Sequence, residues 1–176
     1  MTKQNKKGFT IIEVVLVLAI GGLIFLMVFI ALPALQRSQR NTQREDDLAR
    51  VLTAVNDYQT NNSGKTPFEN GGVNPNFLKR YVDEETVYDA TKPITTCGDQ
   101  FKDPDGECYQ IRVAGSAKAG DKGKNTGLTN FDHTFHVYTN AGCGDLEGTY
   151  DVGTGKRQVA IFFVTEGGAI ACNDNH

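Results

Sequence analysis

Histidine is scarce in this chain, three in 176 residues, and its four cysteines never fall in a C-x-x-C pair. The missing C-x-x-C argues against zinc and dithiol redox chemistry together. His133 and His136 lie an odd number of positions apart on a predicted strand. Their side chains are therefore expected on opposite sides, without a shared metal. The third histidine is the last residue, His176. No Ser–His–Asp or Cys–His grouping emerges, so no catalytic residue, no cofactor and no enzyme are expected. The Gly-rich stretch from Gly115 to Gly127 continues Asp121-Lys122 where a phosphate loop needs Lys-Ser/Thr. It reads as a mobile surface loop. An excess of positive charge is also missing from most of the chain. Residues 51–176 carry eleven Lys/Arg against seventeen Asp/Glu, while residues 1–50 carry seven against four. An acidic outer part argues against nucleic acid as a partner of that part.

What the chain does have is one long apolar run. Mean hydropathy is −0.35 in spite of it, so the remainder is polar and must be solvated. Val14 to Leu32 is uncharged, about 19 residues, or about 28 Å of helix. That length nearly matches a bilayer core of roughly 30 Å. Lys3, Lys6, Lys7 and Gly8 precede the run, and one carboxylate, Glu13, stands near its start among Ile11, Ile12, Val14 and Val15. A charge in mid-membrane costs roughly 2.5–3.5 kcal/mol on insertion scales, and less near a helix end. Snorkelling into the headgroups would account for Glu13, and so would a cationic partner. A cut between Gly8 and Phe9 would create such a cation, the α-amino group of Phe9.

Gly8-Phe9-Thr10-Ile11-Ile12-Glu13, with basic residues before it and an apolar helix after it, resembles the class III signal of type IV pilins. The resemblance is close from Lys7 to about Leu35 and architectural beyond. It implies a membrane prepilin peptidase that cuts after Gly8 and methylates Phe9. It also implies polymerisation of the subunit through its N-terminal helix, with Glu13 paired to a neighbour's N-terminal amine. A secretory signal has a shorter apolar region and an A-x-A-like site, which Ala31-Leu32-Pro33 does not supply. A plain anchor explains the length but leaves Gly8 and Glu13 without a role.

The basic residues at the two ends of the run nearly balance, since Arg37, Arg40 and Arg44 follow it. Cys97, Cys108, Cys143 and Cys172 all lie on its far side, which favours an oxidising, extracytoplasmic location for that part. The expected organisation is a cleaved leader over 1–8, a membrane or filament-core helix half over 9–35 and an amphipathic half over 36–60. A connecting region with a short helix follows over 61–106, then an antiparallel sheet with disulfide-closed loops over 107–176. Leu48, Val51, Leu52 and Val55 fall at i, i+3, i+4 and i+7, so the helix should continue past Pro33 to about Gln59. Gly21, Gly22 and Pro33 are helix-weakening residues inside it. In filaments of the resembled family, segments between such residues melt and stretch. Asn61-Asn62-Ser63-Gly64 ends the helix, with Asn or Gly as its left-handed cap.

A short helix is expected from Asn74-Pro75, with Phe77, Leu78, Tyr81 and Val82 on its apolar face and Asp83-Glu84-Glu85 solvated. Strands are expected at Tyr109–Val113, Thr134–Thr139, Gln158–Thr165 and Ala169–Cys172, the last two as a hairpin. Turns are expected at Gly142-Cys143-Gly144, Gly153-Thr154-Gly155 and Glu166-Gly167-Gly168. The expected fold class is therefore α+β, a long N-terminal helix packed on a small antiparallel sheet. Such a head is also what the pilin resemblance implies.

Asp103-Pro104-Asp105-Gly106 is a turn sequence. Followed by Tyr109, it resembles the DP-x-G-x-x-Y pattern of pilin-like secretion subunits. Asp103, Asp105 and Glu107 offer oxygens for calcium, but Gly106 is misplaced for an EF-hand loop, so a plain turn is the expectation and no metal is assigned. Four cysteines allow three connectivities. Cys97–Cys108, closing the Asp103–Gly106 turn, and Cys143–Cys172, tying down the last strand, are favoured. Some pilins carry a single terminal disulfide, so two would be a departure. The whole reading is a filament subunit, major pilin or a close minor pilin or pseudopilin. Its partners would be itself, other pilins, the peptidase and the assembly machinery. It would lie in the cytoplasmic membrane as a precursor and on the cell surface as a filament. The rival of a different class is a membrane-anchored binding domain that never polymerises.

Overall fold

Helix α1 spans Ile11–Asn61 without interruption, carrying Pro33 inside it. The computed structural model describes residues 8–69, 71–89, 91–118, 120–121, 124–153, 155 and 157–175. The leader lysines Lys3, Lys6 and Lys7, as well as Lys122, Thr154 and His176, lie outside the described residues. Two units succeed one another along the chain, the first ending at Gln39 and the second beginning at Arg40.

In the first unit α1 is uncharged from Val14 to Leu35, and its large apolar side chains are exposed. Phe9 is 91% and Ile11 83% exposed, and the large side chains on to Leu35 remain open to solvent. This part is long and apolar enough to cross a membrane, with none of it buried inside the subunit.

In the second unit α1 becomes amphipathic. Arg44, Asp47, Leu48, Val51, Ala54, Val55 and Gln59 are its buried residues, one stripe at helical spacing. The helix stops where Ser63 and Gly64 take left-handed φ values of 56° and 78°, and the Gly64 N–H donates to the Gln59 carbonyl at 2.7 Å. The left-handed residues are thus Ser63 and Gly64, with no asparagine among them. Strands β1 (Phe68–Glu69) and β2 (Gly72–Val73) form a short hairpin. A helical turn α2 (Pro75–Phe77) follows, capped by the Asn74 side chain, and Leu78–Val82 continues it as a wider π-turn.

The remaining strands are β3 (Gln110–Ser116), β4 (Lys124–Asn125), β5 (Thr134–Thr139), β6 (Ala141–Cys143), β7 (Thr149–Val152), β8 (Val159–Val164) and β9 (Ile170–Asp174). They make two sheets, ordered β3-β5-β8-β9 and β4-β7-β6. The fold is α+β and pilin-like, but the main sheet is mixed and not wholly antiparallel as expected. β3 runs parallel to β5, with Gln110 opposite Thr134. Residues 117–133 separate them, more than the dozen or so that a parallel crossover needs. The expected loop from Gly115 is partly strand, since Gly115 and Ser116 belong to β3 and Lys124-Asn125 forms β4. The expected turn at Gly142-Cys143 is instead strand β6. Its glycines left that segment without an apolar alternation to read.

β8 explains its own continuous apolar run, because both its faces are buried. Val159, Ile161 and Phe163 join the core with Leu48, Val51 and Val55 of α1. Ala160 and Phe162 join a second cluster with Ala117, Ala141 and Tyr150. The hairpin β8–β9 pairs Phe162 with Cys172 and turns at Gly168, where φ is 85°. The cysteines pair as Cys97–Cys108 and Cys143–Cys172.

Candidate functional site

Gly8, Phe9 and Thr10 precede the first helical residue and are exposed. Thr10 and Glu13 close on each other there. The Thr10 N–H donates to Glu13 Oε2 at 2.8 Å and its hydroxyl donates to the same oxygen at 2.9 Å. In return the Glu13 N–H donates to Thr10 Oγ1 at 3.3 Å. This reciprocal arrangement is a capping box, which satisfies two of the orphan donors of a helix start. Thr10 was missed in reading the sequence, although T-x-x-E before an apolar run is its signature. Within a single subunit Glu13 therefore already has partners.

Gly21 and Gly22 lie inside α1, and a Cβ added at either would meet nothing within 4 Å. Packing within the subunit does not require glycine at these positions. Pro33 is likewise accommodated in continuous helix.

A second cluster holds the amphipathic half of α1 to the sheet. Arg44 is 0% exposed and its guanidinium makes two bonds of 2.6 Å with Asp103, through Nε and Nη2. Its Nη1 donates to Glu166 Oε1 at 2.6 Å and to Asn41 Oδ1 at 3.1 Å. Arg40, one turn earlier, chelates Glu166 with bonds of 2.7 and 2.8 Å. The Arg44 guanidinium also lies over the Phe131 ring, 4.4 Å from its centre. Beside this group the Tyr109 hydroxyl donates to Asp47 Oδ2 at 2.8 Å, and Arg50 donates to Asp47 Oδ1 at 2.6 Å.

Electrostatics follow from these contacts. Hydrogen bonds from Arg40, reinforced by Arg44, bring the Glu166 carboxyl down to about 2. Burial alone would raise Asp103, but the Arg44 bonds and charge prevail and hold it below its ordinary range. Burial also disfavours the charge on Arg44, and Asp103 and Glu166 outweigh it. Burial raises Asp47, with the Tyr109 bond and Arg50 opposing. Burial and the bond to Asp47 push the Tyr109 hydroxyl up.

Asp103, Asp105 and His133 each offer a ligand atom within 4.8 Å of the others. The cation in contact with both Asp103 oxygens is the Arg44 guanidinium, and Arg44 Nη2 also lies 3.7 Å from Asp105. Glu107, the third expected oxygen donor, is exposed. The Asp103 side chain serves the turn as well, accepting from the Asp105 N–H at 3.0 Å. His133 stands just before β5 with φ 53°, outside the strand, whereas His136 is buried within it.

Comparison with known proteins gives a match at the N-terminus. Residues 3–29 fit the family described as the prokaryotic N-terminal methylation motif. No curated protein and no solved structure matches the chain. The match covers the basic leader, Gly8-Phe9, the capping pair Thr10–Glu13 and most of the exposed apolar run. A motif of this kind implies processing by a prepilin peptidase and fits a membrane-anchored precursor. The chain thus carries the class III signal of type IV pilins, which marks it as a type IV pilin-like or pseudopilin precursor.

Proposed function

We propose that this protein is the structural subunit of a type IV pilus filament. The observation that carries this reading is the apolar run from Phe9 to Leu35, exposed along its length and joined to a methylation signal at residues 3–29. Burying it takes a membrane before assembly and neighbouring copies after it. Cleavage falls between Gly8 and Phe9, the Phe9 amine is methylated, and Glu13 pairs with the amine of an adjacent subunit. Contacts of this head-to-tail kind do not close and so build an open helical polymer. Gly21, Gly22 and Pro33 are the positions at which α1 loosens when subunits pack. Cys97–Cys108 and Cys143–Cys172 hold a head displayed outside the cell. Adhesion, surface motility and DNA uptake are the functions such a filament serves, and the acidic head takes no nucleic acid itself. Partners are other copies, other pilins, the prepilin peptidase and the assembly machinery.

One observation favours a second reading, that of a minor pilin or a type II secretion pseudopilin. Asp103-Pro104-x-Gly106-x-x-Tyr109 matches the pattern of pilin-like secretion subunits, and both Asp103 and Tyr109 are buried in the cluster that holds α1.

The test is N-terminal mass spectrometry on protein recovered from cells, together with the yield of sheared filaments. Methylated Phe9 and labelled filaments are expected. An intact Met1 would refute the processing. Correct processing with no filament and impaired secretion would move the protein to the second reading. Correct processing with neither phenotype would leave a non-polymerising anchored domain and refute both.

A further inference from the structure

A polar cleft opens between the π-turn Leu78–Val82 and the segment around Cys97–Lys102. It measures about 500 Å³ and is lined in part by Lys79, Arg80, Asp83, Gly98, Asp99 and Lys102. Asp83 is the unusual member. It is a carboxylate only 7% exposed, in a loop whose other acids, Glu84 and Glu85, face solvent. One oxygen, Oδ1, accepts from the Glu85 N–H at 2.9 Å. The other, Oδ2, is buried and has no hydrogen-bond partner. Among the described residues no Lys or Arg lies within 4 Å of it, although Lys79, Arg80 and Lys102 line the same cleft. Lys102 is directed to Asp99 instead, at 3.5 Å. Thr86, whose N–H donates to the Asp83 carbonyl at 3.2 Å, has a buried hydroxyl that is also unpartnered.

The backbone is shaped around this carboxylate. A Cβ on Gly98 would stand 2.6 Å from both Asp83 oxygens, so a side chain there would displace the carboxylate. The disulfide Cys97–Cys108 anchors the neighbouring residue. A buried charged oxygen without a donor is costly, and such an atom points to a group that completes it. A hard divalent cation fits poorly, since calcium gathers six or more oxygens. Among the described residues Asp83 belongs to no set of three carboxylate, histidine or cysteine ligands. A primary ammonium fits better, because it brings three donors and one charge to few acceptors.

We propose that the Asp83 cleft binds a primary ammonium group, with Asp83 Oδ2 as the charged acceptor. Its source is a lysine side chain of a second copy or a free alkylamine. The site requires neither leader cleavage nor filament formation, so it can fail without touching the proposed function.

The experiment uses the full chain in detergent micelles. Butylammonium is titrated calorimetrically at constant ionic strength, and the Glu85 and Gly98 amide shifts are followed by NMR. Asp83→Asn keeps the shape and the Glu85 bond while removing the charge. Saturable binding that moves both amides is expected, weakened about tenfold or more in Asp83→Asn, the scale of one charge-assisted bond. Carbodiimide coupling of concentrated protein, mapped by mass spectrometry, separates the sources. A crosslink from Asp83 to a lysine of another copy assigns the lysine, and butylammonium binding without one assigns the free amine. The proposal is overturned by butylammonium that does not saturate, by equal binding to Asp83→Asn, or by calcium binding more tightly at the same amides.

Discussion

The guanidinium of Arg44 and the carboxylate of Asp103 meet through two parallel hydrogen bonds of 2.6 Å, with both side chains closed off from solvent. The pair joins α1 to the Asp103–Gly106 turn across 59 positions of sequence. Removing one member of a buried pair is harsher than removing a surface charge, because the other is left uncompensated.

Arg44→Met should therefore lower stability by about 3–5 kcal/mol. Arg40→Gln, whose side chain is 33% exposed, should cost about 1 kcal/mol or less. Urea unfolding of the full chain in detergent measures both. A loss under about 1 kcal/mol for Arg44→Met would remove the cluster from its anchoring role.

Acid should loosen the same cluster. Glu166 is held at about 2 against an ordinary 4.5, so its folded value is depressed. Its contribution is complete above about pH 4.5 and drains away as the pH falls toward 2. Asp103, also depressed, acts in the same sense. Glu166→Gln should be less stable than the parent at neutral pH and lose less stability across that acid window. Melting temperatures against pH test this, and parallel curves for the two proteins would contradict it.

The disulfides should differ in weight. Cys97–Cys108 spans 11 positions and Cys143–Cys172 spans 29. On the chain-entropy account the shorter loop contributes about 3 kcal/mol and the longer about 1 kcal/mol more. Paired serine replacements compared by denaturant unfolding should show that order. Peptide mapping that finds free thiols in protein recovered from cells would rule out both bridges.

Capping and charge can be separated at Glu13. Glutamine at this position keeps the capping box with Thr10, whereas valine abolishes it. If pairing with a neighbour's amine is the role of Glu13, Glu13→Gln and Glu13→Val should both lose most filament yield. Membrane abundance and leader cleavage should survive in each. Filaments restored by Glu13→Gln but not by Glu13→Val would assign Glu13 to the cap alone.

The long helix was legible because Leu48, Val51 and Val55 repeat at helical spacing, and β8 because its run is apolar on every residue. The parallel pairing of β3 with β5 was not. Local alternation reports which face is buried, and it is silent about the direction of the neighbouring strand. β6 and β7 escaped because they are short, three and four residues, and β6 is interrupted by Gly142. At the N-terminus the Thr10–Glu13 cap is present in the spacing, but a carboxylate in an apolar run equally signals a cationic partner, and spacing alone does not separate the two. The Arg44 cluster had no local signature at all. Its acidic partners stand 59 and 122 positions away, and only the tertiary fold brings them together.

Cys143 lies on β6 and Cys172 on β9, each the outermost strand of its own sheet. The Cys143 N–H also donates to the Asp174 carboxylate on β9. The bridge therefore stitches two sheet margins to one another, and neither offers an open ladder to a passing chain. At the opposite margins β3 is interrupted by a bulge between Val113 and Gly115, and β4 has only two residues. A head built this way resists amyloid-like strand addition even when copies are crowded together.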